Sequence, residues 1–289
     1  MILNKKVFSE LDSTIKYVFV NDDNFTLEFS YINKNDGKDI ICAPSQTMCN
    51  MACKFCHCTD HIGKIKSENL KRPDLIDGIQ YIIDDLKLTD DKMLLISFMG
   101  IGEPILNWSN ILCVMMHFYN KRDKNNIRFA IATAISHFAW VDFFNFTNVV
   151  EKMKIPVKLH LSLHYTDDIT RKEWMPSSLG IYSSIAAVNF YRHITGNKVE
   201  IHYALIDGLN DSEQDAIYLS QLLEDKNMDV KFLFFNEKES LDYHRSNKDK
   251  LDVFKKYFGQ WDINFEYYIP PGLDIGASCG QFLMDNYIN

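Results

Sequence analysis

From residue 39 to residue 268 the sequence alternates short β-rich runs with segments of helical apolar spacing, and this restricts the fold more than any other feature. The expected strands are 39–43, 93–99, 127–133, 157–163, 198–206, 229–235 and 262–268; the expected helices lie near 73–87, 107–120, 142–153, 180–194, 211–225 and 247–258. Pro73 suits a first helical turn, and Asp211 or Ser212 suits a helix cap. A helix between two strands makes them parallel, with a right-handed crossover. Six such units predict an α/β fold, a partial (βα)6 barrel. Upstream, Tyr17–Val20 and Phe25–Ile32 flank the turn signal Asn21-Asp22-Asp23-Asn24, which predicts a β-hairpin, and a second turn is expected at Asn35-Asp36-Gly37. The chain is therefore divided into an extension, 1–36, and a barrel with a C-terminal cysteine loop, 37–289.

In such folds chemistry sits at the carboxyl ends of the strands. The first barrel strand runs into Cys49-Asn50-Met51-Ala52-Cys53-Lys54-Phe55-Cys56, a Cys-x3-Cys-x2-Cys spacing. Three thiolates on one tight loop can each ligate one iron of a 4Fe–4S cubane, leaving the fourth iron open. An open iron can chelate the amino and carboxylate groups of S-adenosylmethionine, and an electron passed to the sulfonium then releases a 5′-deoxyadenosyl radical. The alternative is a zinc site closed by His57 or Cys58, but the spacing, with an aromatic before the last cysteine, favours the cluster.

Other strand ends carry further candidates. Gly100-Ile101-Gly102-Glu103-Pro104 offers backbone and a carboxylate to an ammonium, which assigns Gly102 and Glu103 to the cofactor's methionyl end. Ser162, Leu163 and His164 end the fourth strand and are expected to touch the cofactor; Asn236 ends the sixth and is expected to pair with ribose hydroxyls. Cys42 ends the first strand and Cys279 lies beyond the last, so both fall at the carboxyl edge. Cys113, on an apolar helix, is expected to be buried and inert.

The set resembles the RlmN/Cfr family of radical-SAM methylases, which modify adenine in ribosomal RNA. The resemblance runs from about Leu27 to Phe282. It rests on Leu27-Glu28-Phe29-Ser30-Tyr31-Ile32, on Cys42 with Ser45-Gln46, on Gly100-Ile101-Gly102-Glu103-Pro104, on Ser162-Leu163-His164 with Arg171 and Pro176, on Asp207-Gly208-Leu209-Asn210-Asp211, and on Asp274-Ile275 with Cys279-Gly280-Gln281. It implies a radical-SAM partial barrel and a methyl-cysteine route. One S-adenosylmethionine methylates Cys279; a radical from a second takes hydrogen from that methyl group; the methylene adds to an amidine carbon of adenine; Cys42 resolves the adduct, with Glu28 as base. The chain departs from the pattern at Ala132, where the family has serine, so one cofactor hydrogen bond is lost or shifted to Thr133. It departs again at Pro271-Gly272, where the family has Arg-Gly. Only about 25 residues precede the first matched motif and eight follow Gln281, so the family's N-terminal RNA-binding domain is expected to be largely absent and its basic C-terminal tail absent.

Seven cysteines in 289 residues are too few for a disulfide scaffold and read as metal-binding or catalytic. The formal charge of −8 requires any nucleic acid to be met by a local basic face. Candidates are Lys64, Lys66, Lys71 and Arg72, and Lys121, Arg122, Lys124 and Arg128, which are more often solvated helix faces. No apolar run approaches the ~20 residues that span a bilayer, and Met1–Lys6 opens no signal peptide, so a cytoplasmic, monomeric enzyme is expected. Its expected partners are an RNA substrate and a low-potential electron donor such as flavodoxin or ferredoxin. Two alternatives stand beside this: the same mechanism on tRNA, a nucleotide, a small molecule or a peptide, and a non-catalytic iron–sulfur-binding relative.

Overall fold

The structure, a computed structural model, describes residues 1–34 and 37–282. The turn expected at Asn35-Asp36-Gly37 and the boundary after residue 36 fall on or beside positions outside the described residues, as does the chain after Phe282.

Ten strands form one sheet in chain order. β1 (Ile2–Phe8), β2 (Ile15–Val20), β3 (Thr26–Lys34) and β4 (Lys38–Cys42) are mutually antiparallel. From β4 onward every pair is parallel: β5 (Met93–Phe98), β6 (Ile127–Thr133), β7 (Val157–Ser162), β8 (Val199–Leu205), β9 (Asp229–Phe234) and β10 (Phe265–Tyr268). The crossovers carry α1 (Arg72–Asp85), α2 (Trp108–Lys121), α3 (Trp140–Met153), α4 (Asp168–Trp174), α5 (Ile181–Thr195), α6 (Glu213–Leu223) and α7 (Asp249–Phe258). This is the expected partial barrel of six crossovers.

The hairpin between β2 and β3 closes as its turn signal requires: Asn21 Oδ1 accepts from the Phe25 amide at 2.8 Å. Two elements escape the sequence pattern. In β1, Asn4-Lys5-Lys6 breaks any alternation and no side chain is fully buried, so pairing with β2 makes the strand. α4 is only seven residues long, started by Asp167, whose side chain accepts from the Thr170 amide at 2.7 Å. β10 starts later than expected because Asp262 stands in the left-handed region, at φ +52°. Ser212 caps α6 reciprocally with Asp215.

Strand periodicity divides the side chains into two sets. Leu159 and Leu161 of β7, Ile201 and Tyr203 of β8, and Phe232 of β9 face the helices and join the main core with Phe143, Tyr191, Leu219 and Phe254. Alternate positions, such as His160, Ser162, His202, Lys231 and Leu233, line the barrel interior, and Glu200 meets His160, His202 and Lys231 there. α1 lies so close to β3 that a Cβ on Gly78 would sit 2.5 Å from the Phe29 ring. Among the described residues no helix is long and apolar enough to cross a membrane.

Candidate active site at the carboxyl end of the barrel

Cys42 is the last residue of β4, and the segment after it is held against the β5 turn. The Ser45 amide donates to Ile101 O at 2.7 Å and the Gln46 side chain accepts from the Glu103 amide at 2.9 Å. Gly102 makes this approach possible. It has φ +107°, and a Cβ there would lie 2.4 Å from Ser45 Oγ and 2.8 Å from the Gln46 nitrogen. The cysteine loop then winds back on itself: Thr59 Oγ1 donates to Cys53 O at 2.6 Å, the Cys56 amide donates to Cys53 O at 3.0 Å, and Ala52 adopts φ +56°. Lys238, almost fully buried, donates to Cys56 O at 3.2 Å and pairs with Asp60 at 2.9 Å.

Cys49, Cys53 and Cys56 line a cavity of about 180 Å³ with Gly102, Glu103, Ser162, His164, Asn236 and Cys279. Burial pushes Cys49 up to about 12 and Cys53 well above an ordinary thiol, and in each case charge on neighbouring cysteines adds to the effect. Three buried sulfurs that repel one another as thiolates are a donor set awaiting a cationic group. The three sulfurs are not gathered tightly enough to share one ion. Ligands of a tetrahedral zinc, ~2.3 Å from it, stand about 3.8 Å apart. Among the described residues the only three-ligand grouping with all atoms within 4.8 Å of one another is elsewhere, at His160, Glu200 and His202.

Glu103 is buried and its carboxylate is fully engaged. Oε1 accepts from Thr133 Oγ1 at 2.5 Å and the Ile105 amide at 3.1 Å, and Oε2 accepts from the Ala134 amide at 3.0 Å. Burial raises its pKa, opposed by these hydrogen bonds. Thr133 also accepts from the Ile135 amide and does not line the cavity, so its hydroxyl does not replace the serine missing at Ala132. His164 stands at φ +59°; its Nδ1 accepts from the Ala204 amide at 3.0 Å, and burial keeps the ring neutral. The Leu163 side chain lies in the main core and not at the cavity wall, which leaves only its backbone to meet a cofactor. Asn236 donates through Nδ2 to Cys279 O at 2.8 Å and to Ser278 Oγ at 3.1 Å, while its Oδ1 has no partner. It therefore holds the last cysteine as well as facing the cavity.

The two distant cysteines converge. Cys42 and Cys279 line a second cavity of about 120 Å³ behind the first, and Cys279 belongs to both. Burial, then the charge of Cys42, pushes Cys279 up to about 12. The His57 amide, next to the last loop cysteine, donates to Gly280 O at 2.9 Å, which ties the C-terminal loop to the cysteine loop. Glu28 stands apart: it lines neither cavity and pairs with buried Lys16, Oε2 to Nζ 3.1 Å. Lys16 Nζ also donates to Gly276 O at 3.3 Å, which gives the pair a place in anchoring the Cys279 loop. Cys58 is buried and hydrogen-bonds Cys56. Cys113 is exposed, not buried, because Ile111, Leu112, Val114, Met115 and Phe118 take the inward face of α2.

Arg171 entered the sequence reading without a role, since an arginine in a short helix carries no pattern of its own. It is almost fully buried and donates to the carbonyls of Ser162 (3.0 Å), Leu163, Ala134 (3.3 Å) and Leu179 (3.0 Å). It fixes the ends of two strands beneath the cavity.

No protein-family model matches the chain. It is similar to curated proteins named probable dual-specificity RNA methyltransferase RlmN. That of Lachnoclostridium phytofermentans is 30% identical over 281 residues, covering 94% of this chain and 74% of the relative. That of Endomicrobium trichonymphae is 30% identical over 285 residues, covering 96% and 78%. Among solved structures, a radical SAM methyltransferase from Sphaerobacter thermophilus superposes with a TM-score of 0.82 at 23% identity, covering 96% of this chain and 80% of that one.

Proposed function

The chain belongs to the RlmN family of radical-SAM RNA methyltransferases, and on that premise we propose that it methylates an adenine carbon through a methyl group carried on Cys279. The observation that carries this reading is the meeting of Cys279, beyond the last parallel strand of the barrel, and Cys42, at the end of the first, in cavities that share Cys279 with the three-thiol loop. Cys49, Cys53 and Cys56 would hold a 4Fe–4S cluster, with S-adenosylmethionine beside it over Gly102 and Ser162. Together these supply a radical and a methyl group.

The chain's own residues do the rest. Asn236 and the Lys16–Glu28 pair fix the Cys279 loop, Arg171 fixes the cavity floor, and the unpartnered Asn236 Oδ1 is an acceptor for a hydroxyl. Cys42, held near Ser30 and Ser97, is the resolving thiol, since an amidine carbon is no nucleophile and a covalent carrier divides the difficult step. In this reading residues 1–36 form the extension that steadies the barrel 37–289, the working compartment is the cytoplasm, and a flavodoxin or ferredoxin delivers the electron to a monomer.

The substrate need not be ribosomal. Several expected basic contacts are paired internally: Lys66 with Glu68, Lys71 with Asp23 at 2.6 Å, and Arg122 with Asp90 at 3.0 Å. Incubation with methyl-labelled cofactor followed by peptide mapping tests the carrier: label on Cys279, and no RNA methylation by Cys279→Ala, are expected, and methylation by that variant would overturn the route. Comparison of modified nucleosides from cells with and without the gene decides the acceptor.

A further inference from the structure

Two residues before Ser162 and Ala204 on β7 and β8, where His202 also reaches the wall of the first cavity, the barrel interior carries a polar cluster that the proposed methylation route does not use. We propose that His160, Glu200 and His202 form a second metal site, for a divalent first-row transition ion such as Zn²⁺. His160 Nδ1 lies 2.8 Å from His202 Nε2 and 3.0 Å from Glu200 Oε1, and His202 Nε2 lies 3.4 Å from that same oxygen. An ion ~2.0–2.2 Å from each nitrogen and oxygen ligand sets those atoms about 3.3–3.6 Å apart in a tetrahedral site. The His202–Glu200 edge already has that length, and the other two edges open by about half an ångström to admit an ion.

All three side chains are more than nine-tenths buried, and Glu200 Oε1 accepts no aligned hydrogen bond although it stands at the centre of the group. One proton on one imidazole satisfies the pair of nitrogens, and Lys231 Nζ stands 2.9 Å from the oxygen without an aligned hydrogen bond; a cation meets all three ligand atoms at once. Burial lowers the pKa of both histidines, so each presents a nitrogen lone pair. Two imidazoles and one carboxylate suit zinc or iron rather than magnesium or calcium, which take oxygen ligands.

Two ammonium groups already serve the carboxylate. Lys158 Nζ lies 2.5 Å from Oε2. Lys231 Nζ lies 2.9 Å from Oε1 but also 2.8 Å from Glu266 Oε1, at the more exposed end of the network. An entering ion displaces Lys231 onto Glu266, so the site opens without stranding a charge. His160 and His202 line the same cavity as Cys42 and Cys279, which leaves room for an exchangeable ligand as in open zinc sites.

The inference is independent of the RNA-methylation reading, and its test reads metal, not turnover. Cluster-reconstituted full-length protein is dialysed against limiting Zn²⁺ and counted for zinc and iron, beside Glu200→Gln, His202→Ala and the Cys49→Ser/Cys53→Ser/Cys56→Ser variant. One zinc per chain is expected in the wild type and in the triple cysteine variant. Affinity should fall at least about tenfold in Glu200→Gln and His202→Ala, since loss of even an outer partner of a ligand costs ~10–100-fold. Zn²⁺ should also raise the melting temperature of the wild type but not of Glu200→Gln, which keeps the side-chain volume and so controls for folding. Zinc absent from the wild type, or zinc that survives Glu200→Gln and leaves with the cysteines, would overturn the proposal.

Discussion

In the proposed route Cys279 attacks a methyl group at one stage and is attacked at sulfur by Cys42 at another, yet burial and the neighbouring Cys42 push its pKa up to about 12. Its thiolate fraction should therefore rise about tenfold per pH unit from neutral pH toward that value. Mass spectrometry of iodoacetamide-treated protein is expected to show Cys279 labelling climb throughout pH 8–11; a plateau below pH 10 would contradict the burial. The same shift has a stability sign. A folded-state pKa raised above the unfolded thiol value means the native state binds more protons, so stability from this group is full below about pH 8.5 and lost as pH climbs toward 12. Gly102 is the other decisive residue. A Cβ at φ +107° would strain the backbone and strike Ser45 and Gln46, so Gly102→Ala should cost ~1–3 kcal/mol and reduce iron retained after reconstitution. Unchanged melting temperature and iron content would show that the turn can give way.

At the scale of elements, the turn between β1 and β2 acts as a clasp on the loop that carries Cys279. Ser9 Oγ and the Glu10 amide each donate to the Asp274 carboxylate at 2.7 Å, and the Gly272 amide donates to Asp12 Oδ2 at 2.8 Å. These bonds join the first hairpin to the segment after β10. Asp274→Ala should cost about 1–3 kcal/mol, quicken Cys279 alkylation at fixed pH and expose the 272–280 loop to protease. A variant with unaltered alkylation and proteolysis would mean that Asn236, Lys16 and the His57 amide suffice to hold the loop. None of this was legible beforehand, because side chains some 260 positions apart meet only once the sheet curls.

The whole molecule carries a formal charge of −8, and several of its basic residues are paired internally. RNA affinity should thus depend weakly on salt. Filter-binding titrations are expected to give a log–log slope of about −2, from roughly three phosphates at −0.7 each; a slope steeper than −5 would reveal a basic face formed with a partner. The sequence by itself determined the parallel barrel and the three-thiol loop, because strand–helix alternation and cysteine spacing are local patterns whose consequences do not depend on distant residues. It also located Cys42 and Cys279 at the carboxyl edge, since strand ends can be counted along the chain. Only the tertiary structure decided which groups those residues meet: Glu103 engaged by Thr133, Glu28 by Lys16, Leu163 turned into the core, and His160 facing His202 across two strands. Such pairings depend on strand register and on which side chains share a cavity, quantities that no single stretch of sequence contains.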